Sequence, residues 1–474
     1  MNSFDSSFAD LRGWVKGLAL PQHQFLMLHF DADQSDYVRF NHAKVRQAGR
    51  VRTLKLKLVL VEKRSDGSAA QVQFQLTAST EPQADRALCD QALIRLQSLI
   101  AQANADPLLL FNETPSSSEH NVVADLPSIE VMVEAIEAAI RTSEQAGNID
   151  LVGFLALGPR ARGLLSSLGH SHYQSRHSYF FDFSIYAGGL LFPKPVDIRD
   201  KAVKQSLSDT RWDPARLTSL IHQAAQQSEV LLEPAKRLLP GHYRAWLAPA
   251  AVADLLEMMS WGGFSLSSLR RGNSPLERAH GGMEGALKVG DRPKFSPLIT
   301  LSDCPREAGV PRFQGEGFVG PERVPLIENG VVSQLLVSPR SAREFLSPHN
   351  GYDGSESPRA IKLHPGDLDE AQAMRALGTG LYISNLWYLN FSDRIHCAVT
   401  GMTRFASLWV ENGVPVAPLS AMRIDDSLYQ VFGDQLEGLG RVTHAIPNVS
   451  TYDQRAFGAT YAPAALVKAL RLTL

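Results

Sequence analysis

The chain has 474 residues, 44% of them hydrophobic and 20% charged, with a formal net charge of -2. That length suggests roughly two to four domains, with apolar material enough for real cores. The near-neutral balance argues against an electrostatic nucleic-acid binder, and no run of about 18 apolar residues offers a membrane-spanning helix.

Residues 11–20 read as a short helix, and the N-terminus lacks the basic start and apolar core of a signal peptide. Residues 24–29 and 36–41 read as two strands. In residues 50–61, Arg52, Leu54, Leu56, Leu58 and Leu60 share one parity, and Thr53, Lys55 and Lys57 the other. That is the alternation of a half-buried strand, with the cluster Arg46, Arg50, Arg52, Lys55 and Lys57 read as a wet face. The turn Ser65-Asp66-Gly67-Ser68 leads to a second alternating strand with Val72, Phe74 and Leu76 inward, which makes a hairpin. Leu88, Ala92, Leu96 and Leu99 recur at helical spacing and predict a helix over residues 83–102. Residues 112–122 are polar and predict a loop. Ser128 caps the next predicted helix, whose Val131, Ala135, Ile136, Ala139 and Ile140 form one face and which Gly147 stops. Strands over residues 151–157 and 179–187, separated by a loop, and a helix over residues 213–227 complete this half.

Composition changes near Leu239-Pro240-Gly241, beyond which glycine and proline are dense and the strands short. Glu328-Asn329-Gly330 and Glu411-Asn412-Gly413 each lie between two apolar runs, a strong hairpin signal. The fold class expected is α+β. An N-terminal mixed α/β domain spans residues 1–238, and a C-terminal antiparallel β-rich domain, sandwich- or barrel-like, spans residues 239–474. The cysteines, Cys89, Cys304 and Cys397, are far apart, odd in number and without a C-x-x-C pair. They suit a reducing compartment, so a cytoplasmic protein is expected.

In the C-terminal half, the stretch from Phe295 to Pro305, then Glu316-Gly317, the LIENG hairpin Leu326–Gly330 and the pair Ala342-Arg343 follow one another in an order that resembles the TldD/PmbA family of peptidase-related proteins. The second hairpin, around Glu411-Asn412-Gly413, and the segment rich in small, basic and aromatic residues at 163–188 resemble the family too. The resemblance implies an α/β domain followed by a β domain, usually assembled as dimers. In the family's catalytic branch a helix carries H-E-x-x-x-H, and a late cysteine completes a zinc site. Zinc chemistry needs three protein ligands and an open position for water, with a glutamate as general base. No histidine in this chain is followed by glutamate. In the matching segment Leu256 and Trp261 stand at the histidine positions, and only Glu257 remains, as a relic of the general base. No cysteine lies beyond Cys397. No catalytic residue, metal ligand or cofactor is therefore expected.

The resemblance is nearer to the TldE-like branch, which also lacks the histidines and pairs with the zinc subunit. The reading is a non-zinc subunit that binds extended peptides and supports proteolysis or peptide maturation by a TldD-like partner. Its partners would be a peptide or unfolded protein and either a second copy or that zinc subunit, with no nucleic acid and no membrane. Two alternatives stand beside it. One is an autonomous metallopeptidase with an atypical zinc site at His280, His396 or His444. The other is a non-enzymatic binding protein with a repurposed pocket.

Candidate ligand contacts are His280 in a glycine-flanked loop, Glu316 and Gly317 in a turn where backbone can approach a peptide, Trp387, His396 and Arg404. Trp387, the segment 393–397 and the aromatic, basic segment 401–405 depart from the glycine-rich stretch the family pattern implies. A cavity lined by Trp387, Arg404, Phe405 and Trp409 would be the default ligand site. Adjacent His396 and Cys397 would point to opposite faces of a strand, a poor nucleophile pair. His170, His172 and His177 cluster without an acidic or thiolate neighbour in sequence, and core roles suit them better than metal.

Overall fold

The structure, a computed structural model, describes residues 3–143, 149–188, 201–280 and 295–473. In chain order the N-terminal half runs α1 (Ser3–Lys16), β1 (Gln24–Asn41), β2 (Lys44–Lys63), β3 (Ala69–Thr77), α2 (Pro82–Ile100), β4 (Ser117–Val122), α3 (Ile129–Thr142), β5 (Ile149–Ser166), β6 (Ser171–Ala187), β7 (Val203–Asp209) and α4 (Pro214–Ser228). Among the described residues these strands form one seven-stranded sheet, ordered β3-β2-β1-β5-β6, with β4 and β7 both paired to β6. Neighbours are antiparallel except β4 against β6. Residues 24–29 and 36–41 are thus one strand, not two, and the stretch taken for a loop between residues 157 and 179 belongs mostly to β5 and β6. Their shared cause is a polar sheet face.

Even-numbered residues of β1 show the apolar face. Leu26, Leu28, Phe30 and Ala32 pack with Phe8 of α1 and Leu96 of α2. Val38 and Phe40 pack with Ile136 of α3 and Ile221 of α4. All four helices therefore cover one face, as the period of two in a strand requires. The odd-numbered residues Asp31 and Asp33 stand on the other face, beside Arg162 and Arg160 of β5. Asp33 and Arg160 are hidden against the C-terminal half, whereas Asp31 and Arg162 stay partly exposed. Arg455 reaches in to Asp33 at 3.1 Å, and donates to the carbonyls of Ser178 and Gly158 at 3.0 and 2.7 Å. Arg160 in turn donates to the carbonyl of Arg455 at 2.8 Å and pairs with Asp31. At Gly158, φ is +147° and a Cβ would sit 2.0 Å from the carbonyl oxygen of Gln34, so only glycine fits this crossing.

The C-terminal half comprises β8 (Gly241–Leu247), α5 (Pro249–Ser260), β9 (Leu301–Asp303), β10 (Val324–Glu328), β11 (Val331–Val332), β12 (Ile361–Leu363), β13 (Gly380–Ile383), β14 (Leu386–Asp393), β15 (Ala398–Thr403), β16 (Ser407–Glu411), β17 (Val414–Pro418), β18 (Arg423–Ser427), β19 (Leu436–Leu439), β20 (His444–Pro447), β21 (Ala459–Ala462) and β22 (Ala465–Leu472), with short helices between. Among the described residues one sheet of six strands runs β11-β10-β9-β12-β21-β20. A second, of nine, runs β14-β15-β18-β22-β8-β13-β16-β17, with β19 against β22. Pairing is antiparallel apart from β12 with β21 and β8 with β13. Both sheets and α5 share one apolar core. The protein is thus α+β. The Asn-Gly turns lie between β10 and β11 and between β16 and β17, with positive φ at Asn329, Gly330, Asn412 and Gly413.

Candidate functional site

Apolar residues cover most of α5. Ala251, Val252, Leu255, Leu256, Met258 and Met259 are buried. Its polar residues, Asp254, Glu257 and Ser260, recur every third position and so form a single stripe. That stripe lines a cleft of about 330 Å³ between the two halves. Opposite it, β7 contributes Lys204 and Ser206, and β20 contributes Ile446 and Pro447. Both are edge strands of their sheets among the described residues. Pro447 suits such an edge, where a missing N–H disturbs no ladder. Arg359, Asn385 and Asn448 complete the polar lining.

Asp254 is the most perturbed group in the cleft. Its Oδ2 accepts the N–H of Leu386 at 2.9 Å. Burial nevertheless pushes its pKa up to about 7, against that hydrogen bond and the Lys204 charge. Both protonation states are then populated near neutrality, so the carboxyl can donate or accept a proton or a hydrogen bond. Lys204 also stands 3.8 Å from Asp182 and 5.7 Å from the Phe405 ring centre. Arg359 is held rigidly. Its guanidinium donates to the carbonyls of Arg312 and Gly351 at 2.6 and 3.2 Å. Its backbone N–H and that of Ala360 donate to Oδ1 of buried Asp303 at 3.0 and 2.6 Å, while the Tyr352 hydroxyl donates to Oδ2.

The residues present do not fit a zinc ion with three protein ligands. Leu256 is buried in the core, and Trp261, just past the end of α5, packs near Phe391 at 6.5 Å. Glu257 alone of the three reaches the cleft. Among the described residues no three His, Cys, Asp or Glu side chains gather as a metal-ligand set.

The other candidates are scattered. His280 ends a short helix, Glu277–His280, rather than sitting in a loop; burial lowers its pKa, and its Nε2 has no partner among the described residues. Glu316 and Gly317 form a turn that docks on the N-terminal half. Asn112 donates to their carbonyls at 2.8 and 3.0 Å, and His170 sits 3.0 Å from where a Gly317 Cβ would be. The backbone there is already engaged within the chain. Trp387 stacks under Arg404 at 4.1 Å. Trp409 packs instead on Tyr243 and Lys236, at 6.0 and 4.7 Å. His396 lies in the exposed turn after β14, bonded to Asp393 at 2.7 Å, whereas Cys397 is buried. His444 pairs with Glu370 at 2.7 Å. His170 and His172 both bond Ser116, at 3.0 Å each, and hold β4 in place. Sequence reasoning missed Lys204, Asp254 and Arg359. Asp254 left a signal, being a lone acid one turn before Glu257 on an apolar helix.

Residues 240–474 match the family model of the PmbA/TldA metallopeptidase C-terminal domain. No curated protein matches the chain by sequence. Among solved structures, TldE from Thermococcus kodakarensis superposes with a TM-score of 0.72 at 14% identity, covering 99% of this chain and 100% of that one. A Thermotoga maritima protein described as a candidate modulator of a DNA gyrase gives 0.71 at 16% identity, covering 99% of each chain. A Bacteroides thetaiotaomicron protein described in the same way gives 0.69 at 15% identity, covering 98% of each. Identities this low speak to the fold alone. Through the family-model match the C-terminal half of the chain, residues 240–474, belongs to the TldD/PmbA family, and the chain as a whole shares the fold of TldE.

Proposed function

We propose that this chain is a TldE-like subunit that holds extended peptide for a zinc-bearing partner of its family and carries no zinc itself. The carrying observation is the wall of the cleft, where α5 presents Asp254 and Glu257 but no imidazole. Two edge strands, β7 and β20, line the same cleft. An edge strand offers unpaired backbone groups, and an extended peptide can pair with them by strand addition. Lys204, Arg359, Asn385 and Asn448 would meet the peptide's polar groups. Asp254 would serve as a hydrogen-bond donor or acceptor, according to its protonation.

The test is elemental analysis of chain purified without chelators, with peptide cleavage assayed alone and after mixing with a zinc-bearing homologue. The expected result is no stoichiometric zinc, no cleavage alone, and chelator-sensitive cleavage by the mixture that exceeds the homologue's own. One bound zinc per chain with chelator-sensitive cleavage by the chain alone would refute the proposal.

A further inference from the structure

A second pocket, of about 380 Å³, lies on the polar face of the first sheet beneath residues 310–315. It shares only Arg359 with the α5 cleft. Its floor is set by strand register. His29 and Asp31 of β1 stand beside Lys57 and Lys55 of β2, and Asp31 also stands beside Arg162 of β5. Its roof includes Gly315, where an added Cβ would lie 2.6 Å from the His29 ring. The glycine lets the loop close directly onto the histidine.

Some charges in this pocket are matched within the chain. Lys55 pairs with Asp453, and Asp31 with Arg160. Asp353 accepts the N–H of Ser355 at 2.9 Å and Arg359 donates to two carbonyls as described, but neither has an ion pair among the described residues. Two further cations lack a close counter-ion of their own. Among the described residues Lys57 has no ion pair or side-chain hydrogen bond. Arg162 has a 3.8 Å contact with Asp31, whose carboxylate Arg160 already engages, lies 5.9 Å from the Phe457 ring centre and feels the Asp353 charge. Burial among protein atoms lowers the Arg162 pKa, yet 45% of its side-chain surface is uncovered. Arg162 is one of the side chains that line the pocket. Between these cations stands His29, whose pKa is pushed down to about 3 by burial and by the Lys57 and Arg162 charges. Its ring is neutral at physiological pH and keeps one N–H to donate.

The lining sets Lys55, Lys57, Arg162 and Arg359 against Asp31, Asp353 and Asp453, and this surplus of positive charge attracts an anion. A guanidinium fork and an ammonium together match the oxygens of a carboxylate or phosphate. We propose that this pocket binds an anionic group, a carboxylate or a phosphate, between Lys57 and Arg162, with His29 donating a third hydrogen bond. The site stands apart from the α5 cleft, so the proposal does not depend on what that cleft holds.

The test is isothermal titration of the full chain in low-salt, phosphate-free buffer. The probes are inorganic phosphate and one short peptide, prepared with a free and with an amidated C-terminus. The expected result is one saturable site per chain for at least one anionic probe, weakened tenfold or more by Lys57→Gln and by Arg162→Gln. Phosphate binding identifies a free anion as the ligand type. Preference for the free over the amidated peptide identifies a chain end. No saturable binding of any anionic probe would overturn the proposal. So would affinities within twofold of wild type in both variants. Should Arg162→Gln fail to fold, Lys57→Gln decides, because that side chain makes no ion pair or side-chain hydrogen bond that the fold needs.

Discussion

Asp254 carries an ionisation that opposes folding, and replacing it with asparagine should reveal the size of that opposition. Its pKa rises from 3.8 to about 7 through burial. The folded state therefore holds its proton over a range where the unfolded chain has released it. Stability associated with this group is fully present below about pH 4, falls as pH rises to about 7, and is level beyond. A rise of about three units at about 1.4 kcal/mol each sets a ceiling near 4 kcal/mol. Water in the cleft screens the charge, and we take about 1–3 kcal/mol as the effect. Asp254→Asn keeps an oxygen to accept the Leu386 N–H and never ionises. The variant should match wild type near pH 3.5 and exceed it by about 1–3 kcal/mol at pH 8 in urea unfolding. The gap should open between those values and stay constant above pH 7. A difference independent of pH, or a less stable variant at pH 8, would refute the reasoning.

Three further outcomes follow from the same contacts. Asp303→Ala leaves two backbone N–H groups and the Tyr352 hydroxyl without their acceptor in the core. It should cost on the order of 3 kcal/mol or more, measured by denaturant unfolding. Arg455→Ala strands Asp33, buried with it, and should cost about 3–5 kcal/mol. It should also split the unfolding of the two halves into separate transitions, seen by comparing near-UV and far-UV signals. Cys89 and Cys397 are buried with thiols pushed up to about 12, and Cys304 is buried and raised as well. Iodoacetamide at pH 7.5 should leave all three unlabelled in native protein and label them after unfolding, as read by mass spectrometry.

Much of the fold was legible because local rules governed it. The alternation at Leu54, Leu56, Leu58 and Leu60 marks residues that are buried in β2. The two Asn-Gly turns sit where the sequence puts them, since positive φ is a local demand. Ser128, read as a cap, stands at the N-cap position of α3, but its side chain makes no capping hydrogen bond. What failed was β1. Its centre, Asp31 to Asp36, is polar and reads as a break, because period-two reasoning assumes a polar side chain means water. Here it means another protein surface, with Arg160 and Arg455 as partners from far along the chain. The same cause hid the middle of β5. Glu257, singled out through the family resemblance, lines the cleft. Asp254 becomes conspicuous only when its neighbours on α5 are all seen to be buried. Lys204 and Arg359 come from distant elements, and no local pattern joins them.

The Arg455 contact also sets an order of events during synthesis. The strands bearing Asp33 and Arg160 are made hundreds of residues before Arg455. Translation at roughly 5–20 residues per second leaves those charges waiting for many seconds. Through that interval the helices can already seal the apolar side of the first sheet, while its charged side stays hydrated. The last step is then a drying event, in which Arg455 displaces water and the two halves become one body.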